Sequence, residues 1–459
     1  MKHYHFIGIG GVGMGAIALL LVGKGEKVSG SDLKESPLTL RLRESGAQVF
    51  LEHDAKHVQH PDFVIYSSAI DENNPELVAA KQKNIPILKR AQMLAILMKD
   101  KRSVTVGGAH GKTTTTSMIA NLLINAGLHP TTAVGGIING TTNNASLGDG
   151  EYFVAEVDES DGSFLYFDPF YSVITNIDFE HVDYYHNWEN ILRAYQEFVM
   201  RTQPGGHLFI CGEDERLVKI LKESGRVFST YGFSRSHDLA AENIQYGGYS
   251  SQFDCFTKDK KIGSVHLKVP GKHNVLNALA CIGVGLKLGI DFSLIRKSLD
   301  EFSGVQRRMQ LKADAGNILV LDDYGHHPTE IAATMEAAKS FGKKRLIVVF
   351  QPHRYTRTKF LMEEFVKALG ACDHLVLTDI YAASEKPMEG VNSQVLFDKI
   401  RSNGRSAVYL KKDEIASYLI NFVEPGDLVL TVGAGDIGRI SEDFSQKLKT
   451  VKKECIHNA

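Results

Sequence analysis

Val104-Thr-Val-Gly-Gly-Ala-His-Gly-Lys-Thr-Thr-Thr-Thr116 decides how this chain is read. A short β-branched run enters a glycine turn, and Lys112 and Thr113 then open an apolar-periodic helix through Met118, Ile119, Leu122 and Leu123. This is the pattern of a phosphate-binding loop. Backbone N–H groups of the turn and of the helix N-terminus supply positive potential, the lysine ammonium reaches terminal phosphates, and the Thr113 hydroxyl is placed to ligate Mg²⁺. Val106 stands where the usual spacing has a glycine, so the loop is a shortened variant carried by Gly107 and Gly108. Consecutive threonines are poor helix formers, which argues against a purely structural origin for the run. The competing reading is an ordinary strand-to-helix turn with a threonine cap.

Upstream, Tyr4–Ile9 reads as a strand that delivers Gly8-Ile-Gly-Gly-Val-Gly13, and Met14 to Val22 reads as a helix. Gly8, Gly10 and Gly13 fit G-x-G-x-x-G, and Asp32 follows a second strand, as in a dinucleotide fingerprint. The same glycines admit any diphosphate to a helix N-terminus and the same acid can hold any ribose, so NAD, UDP and purely structural glycines all stay open. A strand at Phe63–Tyr66 ends in Ser67-Ser68-Ala69-Ile70, another at Ile85–Leu88 precedes a helix from Arg90 to Met98, and the basic run Lys99–Arg102 marks a first boundary near residue 100.

Downstream of the phosphate loop, Ala133–Gly140 and Thr141-Thr-Asn-Asn144 form a Gly/Asn/Thr-rich segment suited to cover a ligand. The strand Tyr152–Val157 carries Glu156 into Asp158-Glu-Ser-Asp161, where an α/β nucleotide site needs a metal carboxylate. Tyr171–Ile177 leads to Asp178-Phe-Glu-His181 and Asp183-Tyr-Tyr-His186, which makes His181 a second candidate for metal or phosphate contact. The alternatives are a solvated turn for the acids and a helix cap or loop histidine for His181. From about residue 203 to residue 269 the pattern reads as short strands alternating with turns. Asn274 and Asn277, in the helix opened by Gly271-Lys-His-Asn, share one face where their amides could meet an adenine edge, with capping by Asn274 as the other reading. A short helix at Leu294–Phe302 ends in Ser303-Gly304 before Arg307-Arg308, the second boundary.

In the last third, Asn317–Leu321 stops at Asp322-Asp-Tyr-Gly-His-His-Pro328, and Arg345–Phe350 stops at Gln351-Pro-His-Arg-Tyr-Thr-Arg357. Open parallel sheets bind ligands at the carboxyl ends of strands. Arg354 and Arg357 suit a carboxylate clamp, or else form a surface basic pair. Further strands are expected at His374–Thr378 and Leu428–Val432.

The 459 residues amount to roughly three ordinary domains. A formal net charge of −2 argues against a general nucleic-acid footprint. Cys211, Cys255, Cys281, Cys372 and Cys455 have no C-x-x-C spacing and are odd in number, which fits a reducing compartment better than disulfides or zinc. Ala16–Val22 is too short to span a bilayer. A cytoplasmic enzyme with small substrates, no nucleic acid and no membrane association is expected.

Taken together, Gly8–Gly15, Gly108–Thr116, Glu156–Phe164, Asn176–Asp183, His273–Ala278, Asp322–Glu330 and Gln351–Thr358 resemble, in order and over nearly the whole chain, the Mur ligases of peptidoglycan synthesis. The resemblance implies an α/β protein of three domains: a Rossmann-like UDP-sugar domain at 1–100, a central P-loop ATPase with a mixed sheet at 101–304, and a Rossmann-like domain at 305–459. It implies a monomer or homodimer that uses ATP and Mg²⁺ to join L-alanine to the carboxylate of UDP-N-acetylmuramate through an acyl phosphate. It assigns Gly8, Gly10, Gly11, Gly13, Asp32 and Ser67 to the UDP-sugar, and Gly108, His110, Gly111, Lys112, Thr113 and Thr114 to the ATP phosphates. Thr113, Glu156 and His181 fall to the metal, Asn274 and Asn277 to adenine, Arg308 and Asp323 to the ribose region, and Tyr324, His326, Arg354 and Arg357 to alanine. Lys112, His181 and His326 are the expected catalytic groups. His326 is the first candidate for the base that frees the amine, since imidazoles titrate near working pH.

Two positions depart from the family pattern. Ala109 replaces a usual threonine, which removes a hydroxyl near the phosphates, and Glu180 replaces a usual aspartate. A related ligase that attaches a preformed peptide to the same sugar nucleotide shares the early motifs, but the Tyr324–Pro328 and His353–Arg357 segments favour a single amino acid. Two other classes rest on single motifs: a nicotinamide oxidoreductase on Gly8–Asp32 and a nucleotide-binding switch on the phosphate loop.

Overall fold

In the computed structural model, the strand Arg102–Gly107 is flanked by parallel neighbours on both sides, Tyr171–Ile174 and Tyr152–Glu156. Val104 and Val106 are fully buried. A strand buried on both faces needs no alternation, which is why its valines and threonines run together. The structure describes all residues except Ser68, residues 140–143, Asp259, Ser384 and residues 458–459, with backbone alone for residues 451–457. Part of the proposed covering loop and the Cys455 side chain therefore lie outside the described residues.

Three sheets follow one another along the chain. The first has five parallel strands, in the order Gln48–Phe50, Lys27–Ser31, His3–Ile7, Phe63–Tyr66 and Ile87–Lys89. The helix Val12–Gly23 begins directly after the first glycines, where Gly8 has φ +82°. The second sheet has ten strands and is mixed, with a parallel centre around Arg102–Gly107 and an antiparallel extension made by Leu239–Gly247, Ser250–Thr257 and Lys260–Leu267. The third has six strands, parallel except for the edge strand Gln310–Ala315, with Ile318–Asp323, Asp427–Val432 and Arg345–Phe350 adjacent in that order. This is the expected α/β architecture.

One expectation is corrected. Residues 203 to 269 do not simply alternate strands and turns, because Glu215–Ser224 is an α-helix. Asp214 accepts the N–H bonds of Arg216 and Leu217 as its cap, and Leu217, Ile220 and Leu221 bury one face at helical spacing. The short length of this segment between two strands hid its period. Cys211, Cys255, Cys281 and Cys372 are free thiols. No helix among the described residues is long and apolar enough to cross a membrane.

Candidate functional site

The phosphate loop is shaped by contacts that tolerate only glycine at two points. Gly108 has φ +126°, and a Cβ there would lie 2.2 Å from Thr175 Oγ1; at Gly111, φ +81°, it would lie 2.6 Å from Asn277 Oδ1. The adjacent strand end ties the loop down. Ala109 N–H donates to the Asn176 carbonyl at 3.1 Å, His110 N–H to Asn176 Oδ1 at 2.9 Å, and Thr175 Oγ1 to the His110 carbonyl at 2.6 Å. The loop therefore keeps its form through Thr175 and Asn176, without a hydroxyl at position 109.

Lys112 opens the helix Lys112–Asn125 and turns its ammonium back over the loop, donating to the carbonyls of Gly108 at 2.6 Å and Ala109 at 3.1 Å. Both oxygens of Glu159 hold it as well, at 2.9 and 2.8 Å. Burial alone would lower its pKa, but the charges of Glu159, Asp158 and Glu156 raise it, so the group stays cationic. Thr113 Oγ1 donates to Glu156 Oε1 at 3.2 Å, and Gly135 N–H donates to Glu156 Oε2 at 2.9 Å. Burial raises the Glu156 carboxyl, against the opposing pull of Lys112. Of the four threonines, Thr115 and Thr116 have structural partners after all. Thr115 Oγ1 donates to Asn277 Oδ1 and Thr116 Oγ1 to the Lys112 carbonyl, at 3.0 and 2.8 Å.

A cavity of about 660 Å³ opens beside the loop, between the second and third sheets. Gly111 borders it from the loop and Thr114 from the helix that follows, Asn274 and Asn277 from the helix Lys272–Lys287, Arg308 from the turn before the third sheet and Asp323 from its strand Ile318–Asp323. Asn274 is inside the helix and not its cap; its amide donates to the Pro270 carbonyl at 2.7 Å, and Asn277 donates to Asn274 Oδ1 at 3.1 Å. Of the arginine pair, Arg307 is bound to Asp322 and to the carbonyls of Gly433 and Gly435, whereas Arg308 borders the cavity 3.6 Å from Glu330. Asp323 accepts from Met309 N–H and Gly325 N–H, both at 2.8 Å.

The second and third sheets meet through charge. His110 Nε2 lies 2.9 Å from Asp178 and His110 Nδ1 lies 3.4 Å from Glu330. Burial pushes His110 down, but the Asp178 hydrogen bond and Glu330 outweigh it and hold the imidazole at about 10. Asp178 also accepts from Thr329 Oγ1 at 2.7 Å. Nearby, Arg357 donates to Glu180 Oε1 at 2.7 Å, His326 Nε2 is 3.5 Å from the same oxygen, and Arg354 binds Asp183 at 2.9 Å and Glu385 at 2.7 Å. Tyr324 stands over both Arg307 and Arg308 and beside His326. His181, with φ +54°, places Nε2 3.3 Å from Glu159 and 3.9 Å from Glu180. Its neighbours are thus Glu159 and Glu180, while Glu156 pairs with Thr113.

The N-terminal glycines are not among the residues that line this cavity. Asp32 Oδ2 accepts from Gly10 N–H at 2.9 Å and Oδ1 from Leu33 N–H at 2.8 Å, so the acid shapes the glycine turn. Gly11 has its N–H bonded to the Gly8 carbonyl, a Cβ on Gly13 would meet Arg90 at 2.9 Å, and Ser67 sits at the end of its strand next to Ile7. Asn144 donates to the Val12 carbonyl at 2.7 Å and Arg90 lies 3.3 Å from Asp158, which ties the glycine-rich N-terminus to the central sheet. Sequence reasoning assigned no role to Asn176, Asp178, Glu159, Glu330 or Glu385. In the sequence Glu159 is only one of four acids in Glu156-Val-Asp-Glu-Ser-Asp161.

Residues 3–102 match the Mur ligase family catalytic domain, residues 106–285 the Mur ligase middle domain, and residues 307–435 the Mur ligase glutamate ligase domain. The chain is 47% identical over 446 residues to a UDP-N-acetylmuramate--L-alanine ligase of Dictyoglomus turgidum, covering 96% of each. The crystal structure of a UDP-N-acetylmuramate-alanine ligase from Thermotoga maritima matches with a TM-score of 0.85 at 32% identity, covering 98% of this chain and all of that one. A murein peptide ligase from Psychrobacter arcticus matches with a TM-score of 0.72 at 25% identity, over 98% of both chains.

Proposed function

The chain belongs to the Mur ligase family, and from that premise we propose that it joins L-alanine to the carboxylate of UDP-N-acetylmuramate at the expense of ATP, releasing ADP and phosphate, in the assembly of peptidoglycan precursors. One observation carries the residue-level reading. Lys112, Glu159, His181, Glu180 and Arg357 form a continuous line of charged contacts, each within 4 Å of the next. In this reading that line of side chains joins the phosphate end to the carboxylate-binding end.

The residues divide the work. Lys112 and the N–H groups of Gly111 to Thr114 face the transferring phosphate, where positive charge is needed because an anionic carboxylate attacks an anionic phosphoryl group. Thr113 Oγ1 and Glu156 Oε1, 3.2 Å apart, are hard oxygen donors of the kind that would hold Mg²⁺. A Mg²⁺ ion held there would neutralise charge on the phosphates, and His181, 3.3 Å from the Glu159 that grips Lys112, would stand beside the same phosphates. Asn274 and Asn277 border the adenine end, and Arg308 and Asp323 the ribose end. Gly8, Gly10, Gly11, Gly13, Asp32 and Ser67 receive the UDP-sugar. Residues 1–100, 101–304 and 305–459 then correspond to donor, nucleotide and acceptor domains.

Alanine arrives as a zwitterion. Arg354 and Arg357 take its carboxylate, Tyr324 and His326 close the pocket, and His326 accepts the ammonium proton so that the neutral amine attacks the acyl phosphate carbon. The amide bond forms as the carbon–oxygen bond to phosphate breaks. No protein nucleophile is needed. The reaction belongs in the cytoplasm, where UDP-sugars and ATP are supplied.

The test is product analysis with labelled L-alanine, ATP and UDP-N-acetylmuramate, repeated with L-Ala-γ-D-Glu-meso-diaminopimelate as competitor. The proposal expects UDP-N-acetylmuramoyl-L-alanine as the product and little use of the tripeptide. Preferential use of the tripeptide would make this a peptide-recycling ligase.

A further inference from the structure

The acceptor end of the cleft is closed by a buried ion pair. Arg357 and Glu180 are only 8% and 6% exposed in their side chains, and they follow strands of different sheets, one in the short helix Tyr355–Phe360 after Arg345–Phe350 and the other in the loop after Tyr171–Ile174. Arg357 Nη2 donates to Glu180 Oε1 at 2.7 Å, while its Nη1 faces His353 Nδ1 at 3.0 Å. Glu180 Oε2 is 3.9 Å from His181 Nε2, beyond hydrogen-bond distance, and so keeps capacity for a further donor. The void bordered by Glu180, His181, Arg354, Arg357 and Leu361 measures about 20 Å³, room for a single water and not for an amino acid. An acceptor that takes the place between Glu180 and Arg357 therefore has to part the pair.

Separating a buried pair leaves two uncompensated charges, which is costly unless both are satisfied at once. A carboxylate satisfies Arg357 and abandons Glu180; an amine does the reverse. A small amino acid carries both charges two bonds apart and can replace the pair with itself. We infer that the Glu180–Arg357 ion pair is the element that recognises the acceptor as a zwitterion, with Arg357 taking the carboxylate and Glu180 taking the ammonium. Glu180 would then be a specificity-determining residue, and it stands where the family pattern has an aspartate. The inference rests on the acceptor-pocket reading of Arg357.

From Glu180, the ammonium is next to His326, whose Nε2 is 3.5 Å from Glu180 Oε1. The carboxylate that holds the incoming amine is thus beside the imidazole assigned to deprotonate it. The same contact fixes which end of alanine points toward the acyl phosphate, since Glu180 is joined to Glu159 and Lys112 through His181 whereas Arg357 lies on the far side.

The experiment compares wild type, Glu180→Gln, Glu180→Asp and Arg357→Lys in steady-state kinetics with each substrate varied, together with inhibition by propionate and by ethylamine. Glu180→Gln is expected to raise the Michaelis constant for alanine by about tenfold or more, the equivalent of one charged hydrogen bond, while those for ATP and UDP-N-acetylmuramate hold steady. In Glu180→Gln, propionate should inhibit better than it inhibits the wild type, because Arg357 has lost its internal partner. Glu180→Asp should recover much of the alanine affinity. An unchanged alanine constant in Glu180→Gln, with a raised one in Arg357→Lys, would overturn the inference and leave the pocket in place. Unchanged alanine constants in both variants would overturn the pocket itself.

Discussion

Both carboxylate oxygens of Glu159 grip the ammonium of Lys112, at 2.9 and 2.8 Å, while the same lysine reaches back to the Gly108 and Ala109 carbonyls. The lysine is thereby aimed across its own loop. Preorganised charge of this kind costs little reorganisation during reaction.

Replacing it should remove chemistry and leave the fold. Lys112→Ala is expected to slow phosphoryl transfer by about 10²–10³-fold, the range for removal of one preorganised charge-stabilising group. The loop itself stays pinned by Thr175 and Asn176, so circular dichroism should be close to wild type. Rapid-quench single-turnover kinetics is the check, and a near wild-type transfer rate would count against the assignment.

His110 links pH to the joint between the second and third sheets. Its folded pKa of about 10 lies above its ordinary 6.5, so its charged form stabilises the folded protein fully below 6.5, and that contribution fades as pH rises through about 10. His110→Asn should therefore lower the melting temperature most near pH 6 and least above pH 10. Thermal denaturation of both proteins across that range tests it; a gap that stays constant with pH would contradict a titrating contribution.

Much of this was legible from the chain, and the failures have physical causes. Strands buried on both faces announced themselves as β-branched runs, and Phe63–Tyr66, Arg345–Phe350 and the helix Arg90–Met98 occur at the residues expected. Glycine positions were readable because Gly108 and Gly111 answer to local backbone geometry. What sequence did not give were the partners across space. Glu159 is one acid among several until the fold brings it to Lys112, 47 residues away in the chain. Glu330 looks like a capping-box acid, which it is, and its approach to His110 depends on how two sheets meet. Thr115 and Thr116 looked functional because their structural partners, Asn277 and the Lys112 carbonyl, were invisible.

Arg354 presents a guanidinium fork, with Nε on Glu385 and Nη2 on Asp183. An ammonium cannot hold two partners in that planar geometry. Arg354→Lys should raise the Michaelis constant for alanine, and leave those for ATP and UDP-N-acetylmuramate unchanged because their assigned residues lie elsewhere. Initial-rate kinetics with each substrate varied in turn is the check. Equal effects on all three constants would point to general loosening of the cleft.

If ATP is coupled to amide formation between an amino acid and a UDP-sugar, phosphate release must depend on every substrate. Phosphate release measured with single omissions tests it most directly. Phosphate should appear with ATP, Mg²⁺, UDP-N-acetylmuramate and L-alanine together, one phosphate for each amide formed, and should stop at sustained turnover when either the sugar nucleotide or the amino acid is left out. Steady phosphate release from ATP alone, or oxidation of NADH by the same protein with no need for either substrate, would contradict the account.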